Sequence, residues 1–415
     1  MRIKSVAATA AIVAGAGLLA VGPVTVADAA YPGTNDVLAL ASSGQYGHSA
    51  NTGAQILYQV IPSNPPGTPA NITTSGAGGG GADAEPFYSE DGAWLYFTSN
   101  RDALNKWVIY SEAAGVALDS GTTLDNATEV SQISGAEAVN DYSPTVDPTG
   151  HTLVFIRDNG TSPALYSETV AAGQPSPAGA QLCYGATNGL PAGLAIPATG
   201  ALNGASSRPV ISPDGARLVY VDASFQLHLV TGRCGVPGTY SDTAMTTGPA
   251  RYENPDWAPD SSKLIIDTTA YASTIGADVL ATISPTAPFT VSNLWGPAAT
   301  IGTSGNHQGA EFQPVFSPDG KDFAFTEEGT GSQVYYSDAY GTSAASAQAD
   351  VTVNLTGGTC TTSRCTALSS QPDWRPAPGS GPALPEAPFA VLLPGAAIGT
   401  GALVLVRRRR QAAPA

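Results

Sequence analysis

Gln313-Pro314-Val315-Phe316-Ser317-Pro318-Asp319-Gly320, followed by Phe323-Ala324-Phe325, is a strand, a turn and a second strand written in thirteen residues. Pro presets φ in a tight turn, and Asp and Gly complete it. The same form recurs five times. It is found at Glu85-Pro86-Phe87-Tyr88-Ser89-Glu90-Asp91-Gly92, Ser143-Pro144-Thr145-Val146-Asp147-Pro148-Thr149-Gly150, Arg208-Pro209-Val210-Ile211-Ser212-Pro213-Asp214-Gly215, Asn254-Pro255-Asp256-Trp257-Ala258-Pro259-Asp260-Ser261 and Gln371-Pro372-Asp373-Trp374-Arg375-Pro376. The shared prolines stand 46 to 65 residues apart. Self-similarity at such a period marks a repeat architecture.

Each turn opens into alternating apolar residues: Leu95 and Phe97, Leu153 and Phe155, Leu218 and Tyr220, Leu264 and Ile266, Phe323 and Phe325. A period of two predicts a strand with one buried face. Third strands follow at Val108-Ile109-Tyr110, Ala164-Leu165-Tyr166, Leu227-His228-Leu229, Val279-Leu280 and Val334-Tyr335-Tyr336, and weaker fourth strands at Glu129 to Ile133 and Val351 to Leu355. A four-stranded meander cannot bury both faces alone, but meanders stacked radially cover one another. The chain enters in mid-repeat, at Val37 to Ala41 and Gln55 to Val60, and its last repeat supplies only a first strand. The expected fold is therefore all-β: a six-bladed β-propeller of four-stranded antiparallel blades, closed by a C-terminal strand that completes the N-terminal blade.

Composition agrees. Gly (47) and Pro (33) are abundant, and charged residues are only 12%, which suits short strands and turns rather than long helices. The formal net charge is −16; residues 31–385 carry 11 Lys and Arg against 31 Asp and Glu. Such a surface repels phosphate backbones, so a nucleic-acid partner is not expected.

The Pro-x-aromatic-Ser-Pro-Asp-Gly unit, the x-Leu-x-Phe strand and the Leu-Tyr strand resemble the TolB-type β-propeller repeat, a WD40-like Pro-Asp repeat. Asn354-Leu355-Thr356 and Asn71-Ile72-Thr73 resemble it too. The resemblance covers residues 35–376 and implies the fold. It leaves function open, since the family spans translocation components, oligopeptidase propeller domains and binding proteins.

Both ends carry export signals. Arg2 and Lys4 precede the apolar run Val6 to Val21, and Ala27-Asp28-Ala29-Ala30 suits signal peptidase, so residues 1–30 read as a signal peptide. Residues 377–388 read as a linker. Within it Leu384-Pro385-Glu386-Ala387-Pro388 resembles a sortase sorting signal, with Ala387 and Pro388 in place of Thr and Gly. Residues 389–406 are long enough to span a membrane, and Arg407 to Arg410 open a basic tail, 407–415, that stays inside. A plain membrane anchor is expected. Together these signals resemble those of a Gram-positive, actinobacterial-like surface protein, exported and held at the outer face of the membrane or in the wall. Four cysteines fit an oxidising space. Three pairings are possible, and the expected one joins Cys360 to Cys365 in a local loop and Cys183 to Cys234.

Catalytic signatures are sparse. Gly47-His48-Ser49-Ala50-Asn51 lacks the last Gly of a nucleophile elbow. His48, His151, His228 and His307 show no metal-ligand spacing, and the acidic residues show no EF-hand spacing. No cofactor is implied; calcium is the one ion considered, without a motif for it. Trp257 and Trp374 fill the repeat's apolar slot and read as core, whereas Trp107 and Trp295 are free for a carbohydrate platform. One constellation remains. The residue before each shared Pro is polar: Glu85, Ser143, Arg208, Asn254, Gln313 and Gln371. Innermost propeller strands begin at the axis, so these six, with Asp141, Glu253 and Glu311, are expected around the channel mouth, where they would meet a cation or a basic peptide segment. The bland alternative is that strand entries near solvent are polar anyway. The expected function is a monomeric binding or scaffolding module for a protein or cell-wall glycan, with a propeller hydrolase or lactonase as the alternative.

Overall fold

The computed structural model describes residues 35–42, 56–60, 70–72, 83–100, 106–114, 127–131, 139–158, 163–171, 173–175, 180–184, 208–222, 224–232, 241–270, 279–295, 310–328, 332–337, 352–354 and 369–377. The expected signal peptide, linker, anchor and tail, and Cys234, Cys360 and Cys365, lie outside these residues. No helix among the described residues is long and apolar enough to cross a membrane.

All described elements are strands, paired antiparallel. The first three are β1 (Asn35–Ser42), β2 (Ile56–Val60) and β3 (Ala70–Asn71). A second sheet is β4 (Asp83–Tyr88), β5 (Trp94–Ser99), β6 (Val108–Ala113) and β7 (Thr128–Glu129). A third holds β8 (Asn140–Val146), β9 (Thr152–Asp158) and β10 (Ala164–Ala171), whose far edge pairs with both β11 (Gln174–Pro175) and β12 (Gln181–Tyr184). The fourth is β13 (Val210–Ile211), β14 (Arg217–Val221), β15 (Leu227–Thr231) and β16 (Ser241–Ala244). The fifth is β17 (Tyr252–Trp257), β18 (Leu264–Thr268), β19 (Val279–Ile283) and β20 (Val291–Trp295). The sixth is β21 (Ala310–Phe316), β22 (Phe323–Glu328), β23 (Ser332–Ser337) and β24 (Thr352–Asn354). The last strand, β25 (Ser369–Pro376), lies beside β1, with Leu38 opposite Trp374 and Ala39 opposite Asp373. The sheets are arranged as in a propeller. Successive first strands touch, β4 with β8, β8 with β13, β13 with β17 and β17 with β21, and β25 touches both β21 and β4.

The turns form as the sequence predicts. Gly92, Gly150, Gly215 and Gly320 donate to the carbonyls of Ser89, Asp147, Ser212 and Ser317 at 2.7–2.8 Å. Each of these glycines has φ between 65° and 70°. In the fifth repeat Ser261 takes the glycine's place at φ 58°. The side chain of Asp91, Asp214 or Asp319 accepts the hydroxyl of Ser89, Ser212 or Ser317 two residues earlier, which locks the turn.

The expectation of one buried face per second strand is corrected. Leu95, Tyr96 and Phe97 are all fully buried, as are Leu153, Phe155 and Ile156 and also Leu264, Ile265 and Ile266. A sheet packed between two others has no solvent face. Apolar clusters accordingly straddle neighbours: Tyr96, Ile109 and Phe87 of the second sheet meet Leu153, Phe155 and Val170 of the third. Val219 and Leu227 of the fourth meet Trp257, Leu264 and Ile266 of the fifth.

The β25 strand is fixed at close quarters. Arg375 Nε donates to the Gly92 carbonyl at 3.0 Å, and a Cβ on Gly92 would stand 2.1 Å from the Pro376 carbonyl oxygen. Gly150, with φ 70°, has nothing within 4 Å of its Cβ position. Both glycines need the left-handed region, where an L residue costs about 1–2 kcal/mol. Gly150→Ala is therefore expected to lose about 1 kcal/mol, and Gly92→Ala at least twice that because backbone must move. Urea denaturation of the two variants measures the difference. Removal of residues 369–377 is expected to lower the unfolding midpoint of the entire domain, and a truncated chain that melts like the parent would exclude any role of β25 in stability.

Candidate functional site

Five of the six shared prolines sit inside strands, and Pro209 immediately precedes β13. A ladder residue without an N–H is tolerated only at an edge or a bulge, and both conditions hold. The strands β4, β8, β17, β21 and β25 each form one edge of their sheet. In each, two residues oppose one on the partner: Glu85-Pro86 faces Phe97, Ser143-Pro144 faces Phe155, Asn254-Pro255 faces Ile266, Gln313-Pro314 faces Phe325, and Gln371-Pro372 faces Leu40. A bulge re-aims the side chain of its first residue. That residue adopts left-handed φ in four repeats: Glu85 at 51°, Ser143 at 53°, Asn254 at 46° and Gln313 at 54°. The sequence signals the proline but not this conformation.

The four re-aimed residues converge. Glu85, Ser143, Asn254 and Gln313 line one small axial pocket together with Arg208, Pro255 and Pro314. All four are at least nine-tenths buried. The Glu85 carboxylate accepts from Thr98 Oγ1 at 2.7 Å in its own sheet, and from Ser143 N (2.7 Å) and Ser143 Oγ (3.1 Å) in the next. Thr326 Oγ1 donates to Gln313 Oε1 at 3.2 Å, the same thirteen-residue step as Thr98 to Glu85. Of the remaining expected mouth residues, Asp141 turns away, held by Arg157 through two bonds of 2.7 and 2.8 Å. Glu253 bonds Arg251 at 2.7 Å. Neither lines the pocket. Glu311 lies in β21, three residues before its proline, and Gln371 lies in β25, directly before its own.

Two residues further along, a second tier joins the sheets. Thr145 Oγ1 accepts from Ile211 N at 3.3 Å, Asp256 Oδ2 from Phe316 N at 2.8 Å, and Asp373 Oδ2 from Tyr88 N. The alternate repeats place Phe87, Val210 and Val315 at this position. Arg208 reaches from the start of the fourth sheet to Asp373 of β25 at 3.0 Å, with its Cζ 5.3 Å over the Phe87 ring. Burial pushes Asp256 up to about 7, against the pull of Arg208 and the Phe316 amide. It pushes Asp373 up to about 6, against Arg208 and the Tyr88 amide. Glu90, in the first turn, rises to about 7 through burial and the nearby Asp256 and Asp373. Among the described residues no group of three or more His, Cys, Asp and Glu is placed to hold a metal ion.

Other sequence candidates find structural places. Trp107 packs against the third and fourth sheets, 6.4 Å from the Tyr142 ring. Trp257 and Trp374 are buried. Cys183 is disulfide-bonded, with its partner outside the described residues. His228 is tied down rather than merely half-buried: Nδ1 meets Asp242 at 2.9 Å, Nε2 meets Asp222 at 3.3 Å, and the ring stacks on Tyr220. Burial lowers its pKa, but the bonds and charges of Asp242 and Asp222 outweigh that and raise it.

No protein-family model matches the chain, and no curated protein matches it. Among solved structures, TolB from Acinetobacter baumannii aligns with a TM-score of 0.53 at 14% identity, over 82% of this chain and 67% of that one. The putative TolB from Agrobacterium tumefaciens gives 0.45 at 13% identity, over 82% of this chain and 100% of that one. A puromycin hydrolase gives 0.42 at 15%, over 69% of this chain and 40% of that one. The first of these likenesses shows the fold, a propeller of the TolB kind.

Glu168 on β10 was invisible to sequence reasoning because it sits in an apparently alternating strand. It is 2% exposed, and neither carboxyl oxygen has a hydrogen-bond partner among the described residues. Burial pushes it up to about 8, with Arg157 opposing and Asp141 and Glu129 adding. A raised carboxyl pKa means that the folded state holds a proton the unfolded chain releases. Its stabilising contribution is complete below the unfolded value near ~4.3 and is lost as pH rises through about 8. Glu168→Gln is therefore expected to flatten the pH dependence of stability and to unfold at higher urea than the parent at pH ~8.5. Midpoints across pH ~4.5–8.5 that run parallel for the two proteins would remove this assignment.

Proposed function

We propose that the chain is an exported, membrane-tethered six-bladed propeller that recognises a protein or cell-wall glycan partner through the mouth of its axial channel. Six sheets in cyclic contact, with β25 hydrogen-bonded to β1, support six blades and a closed ring. The export and anchor signals support the location. The pairing of Cys183 with Cys234 fits the same oxidising space.

One observation carries the binding reading. Four repeat-equivalent polar residues hold left-handed φ, are buried, and point into one pocket. Each non-glycine residue in that region costs about 1–3 kcal/mol, and such strain persists chiefly where function uses it. The lining offers a carboxylate, a guanidinium, two amides and a hydroxyl, the few convergent polar groups of a recognition site. The hydrolase alternative draws on Asp256 and Asp373, whose raised pKa values suit proton transfer. Each of them, however, gives an oxygen to a backbone amide of the next sheet.

The test is affinity capture from cell-envelope extract with the 31–383 fragment, followed by titration of the captured polymer or protein. Asn254→Ala and Gln313→Ala are each expected to weaken binding about tenfold or more, the loss of a buried hydrogen bond. Substituting exposed Lys321 is expected to change nothing. Equal affinity for all three variants would exclude the mouth.

A further inference from the structure

Arg208 differs from its repeat-equivalents. Glu85 and Gln313 bond within their own sheet or to the next. Arg208 instead runs to Asp373, which lies three sheets along the cyclic succession, so its side chain crosses the floor of the pocket that it also lines. Its further contacts are a 3.4 Å approach to the Pro86 carbonyl and the Phe87 ring face. Among the described residues Asp373 is the carboxylate that hydrogen-bonds Arg208, and it divides its oxygens between Arg208 and the Tyr88 amide.

We propose that Arg208 is a proton-controlled gate of the axial mouth, latched across the channel by Asp373 and released when the surrounding carboxyl cluster takes up a proton. This rests on the mouth being the recognition site. The charged and titratable groups around the latch are Asp373 from β25, Glu85 and Tyr88 from β4, Glu90 and Asp91 from the following turn, and Asp256 from β17. Glu90, Asp256 and Asp373 interact with one another, and Asp256 and Asp373 share the Arg208 guanidinium. Buried like charges do not all ionise together, and their protons come off as steps of the group. At neutral pH the cluster stands at the edge of such a step. A proton on Asp373 removes the charge that holds Arg208, whose side chain lines the mouth beside Glu85.

Two tryptophans report on the cluster, since Trp257 follows Asp256 and Trp374 follows Asp373, both buried. In the full chain, tryptophan emission is expected to titrate in one step between pH ~6 and ~7. Asp373→Asn is expected to abolish or displace that step, and Arg208→Gln to move it up by about one unit. The latch itself is read with phenylglyoxal, a guanidine reagent, at pH ~8, by mass spectrometry of the Arg208 peptide. Asp373→Asn is expected to raise the Arg208 modification rate about tenfold, the loss of one charge-assisted bond, and Asp373→Glu to restore the parent rate. Equal rates in the parent and Asp373→Asn, or flat emission over the whole range, would overturn the gate. Neither readout involves the partner, so both stand if the recognition reading fails. Capture of the partner that is indifferent to pH between ~5.5 and ~7.5, with the emission step intact, would overturn the gating role alone.

Discussion

The innermost strand of every sheet has one side that no strand of its own sheet can pair. An open edge of this kind invites foreign pairing, and at the axis there is no room for another strand. The chain's answer is the X-Pro bulge. Proline removes a donor, the bulge takes the preceding residue out of the ladder, and the freed side chain turns to the channel. The polar lining of the pocket is a by-product of solving the edge problem, and it has become the best-defined polar surface in the molecule. The second tier, two residues on, uses the same strands to fasten alternate sheets to the next.

The repeat was legible because its parts are local. Ser-Pro-Asp-Gly closes a turn by bonds spanning three residues, and the x-Leu-x-Phe strands follow at once. Polar residues such as Glu85 and Gln313 were legible as a set because the proline marks their register. Three things were not. Burial on both strand faces depends on neighbours far away in sequence, which is why Tyr96 and Ile265 look half-exposed on paper. The left-handed φ of Glu85 or Asn254 depends on a register shift in pairing, which no single segment encodes. The division of labour among the acids is also non-local: Asp141 and Glu253 each bond an arginine close by in sequence, whereas Asp373 meets Arg208 across 165 residues of chain. Sequence reasoning put the first two in the mouth and left Asp256 and Asp373 out.

The strongly acidic composition acquires a second meaning in the fold. Several carboxyls, Glu168, Asp256, Asp373 and Glu90 among them, are held at pKa values raised by burial. His228 is also raised, by its two aspartates. At these groups the folded chain binds protons more tightly than the unfolded one, so mild acidity favours the native state through them. Asp214 and Asp319 act the other way, lowered, against burial, by the hydrogen bonds that lock their turns.

The residue after the shared proline alternates around the succession of sheets: Asp373, Phe87, Thr145, Val210, Asp256, Val315. An oxygen-bearing side chain accepts the neighbour's amide, and an apolar one fills the gap at the next junction. The structural period at the axis is thus two sheets rather than one. Gene duplication or deletion of a single unit would bring two like junctions side by side, leaving either an amide without its acceptor or two carboxylates crowded together. A unit added or removed alone breaks this alternation, whereas a pair of units preserves it.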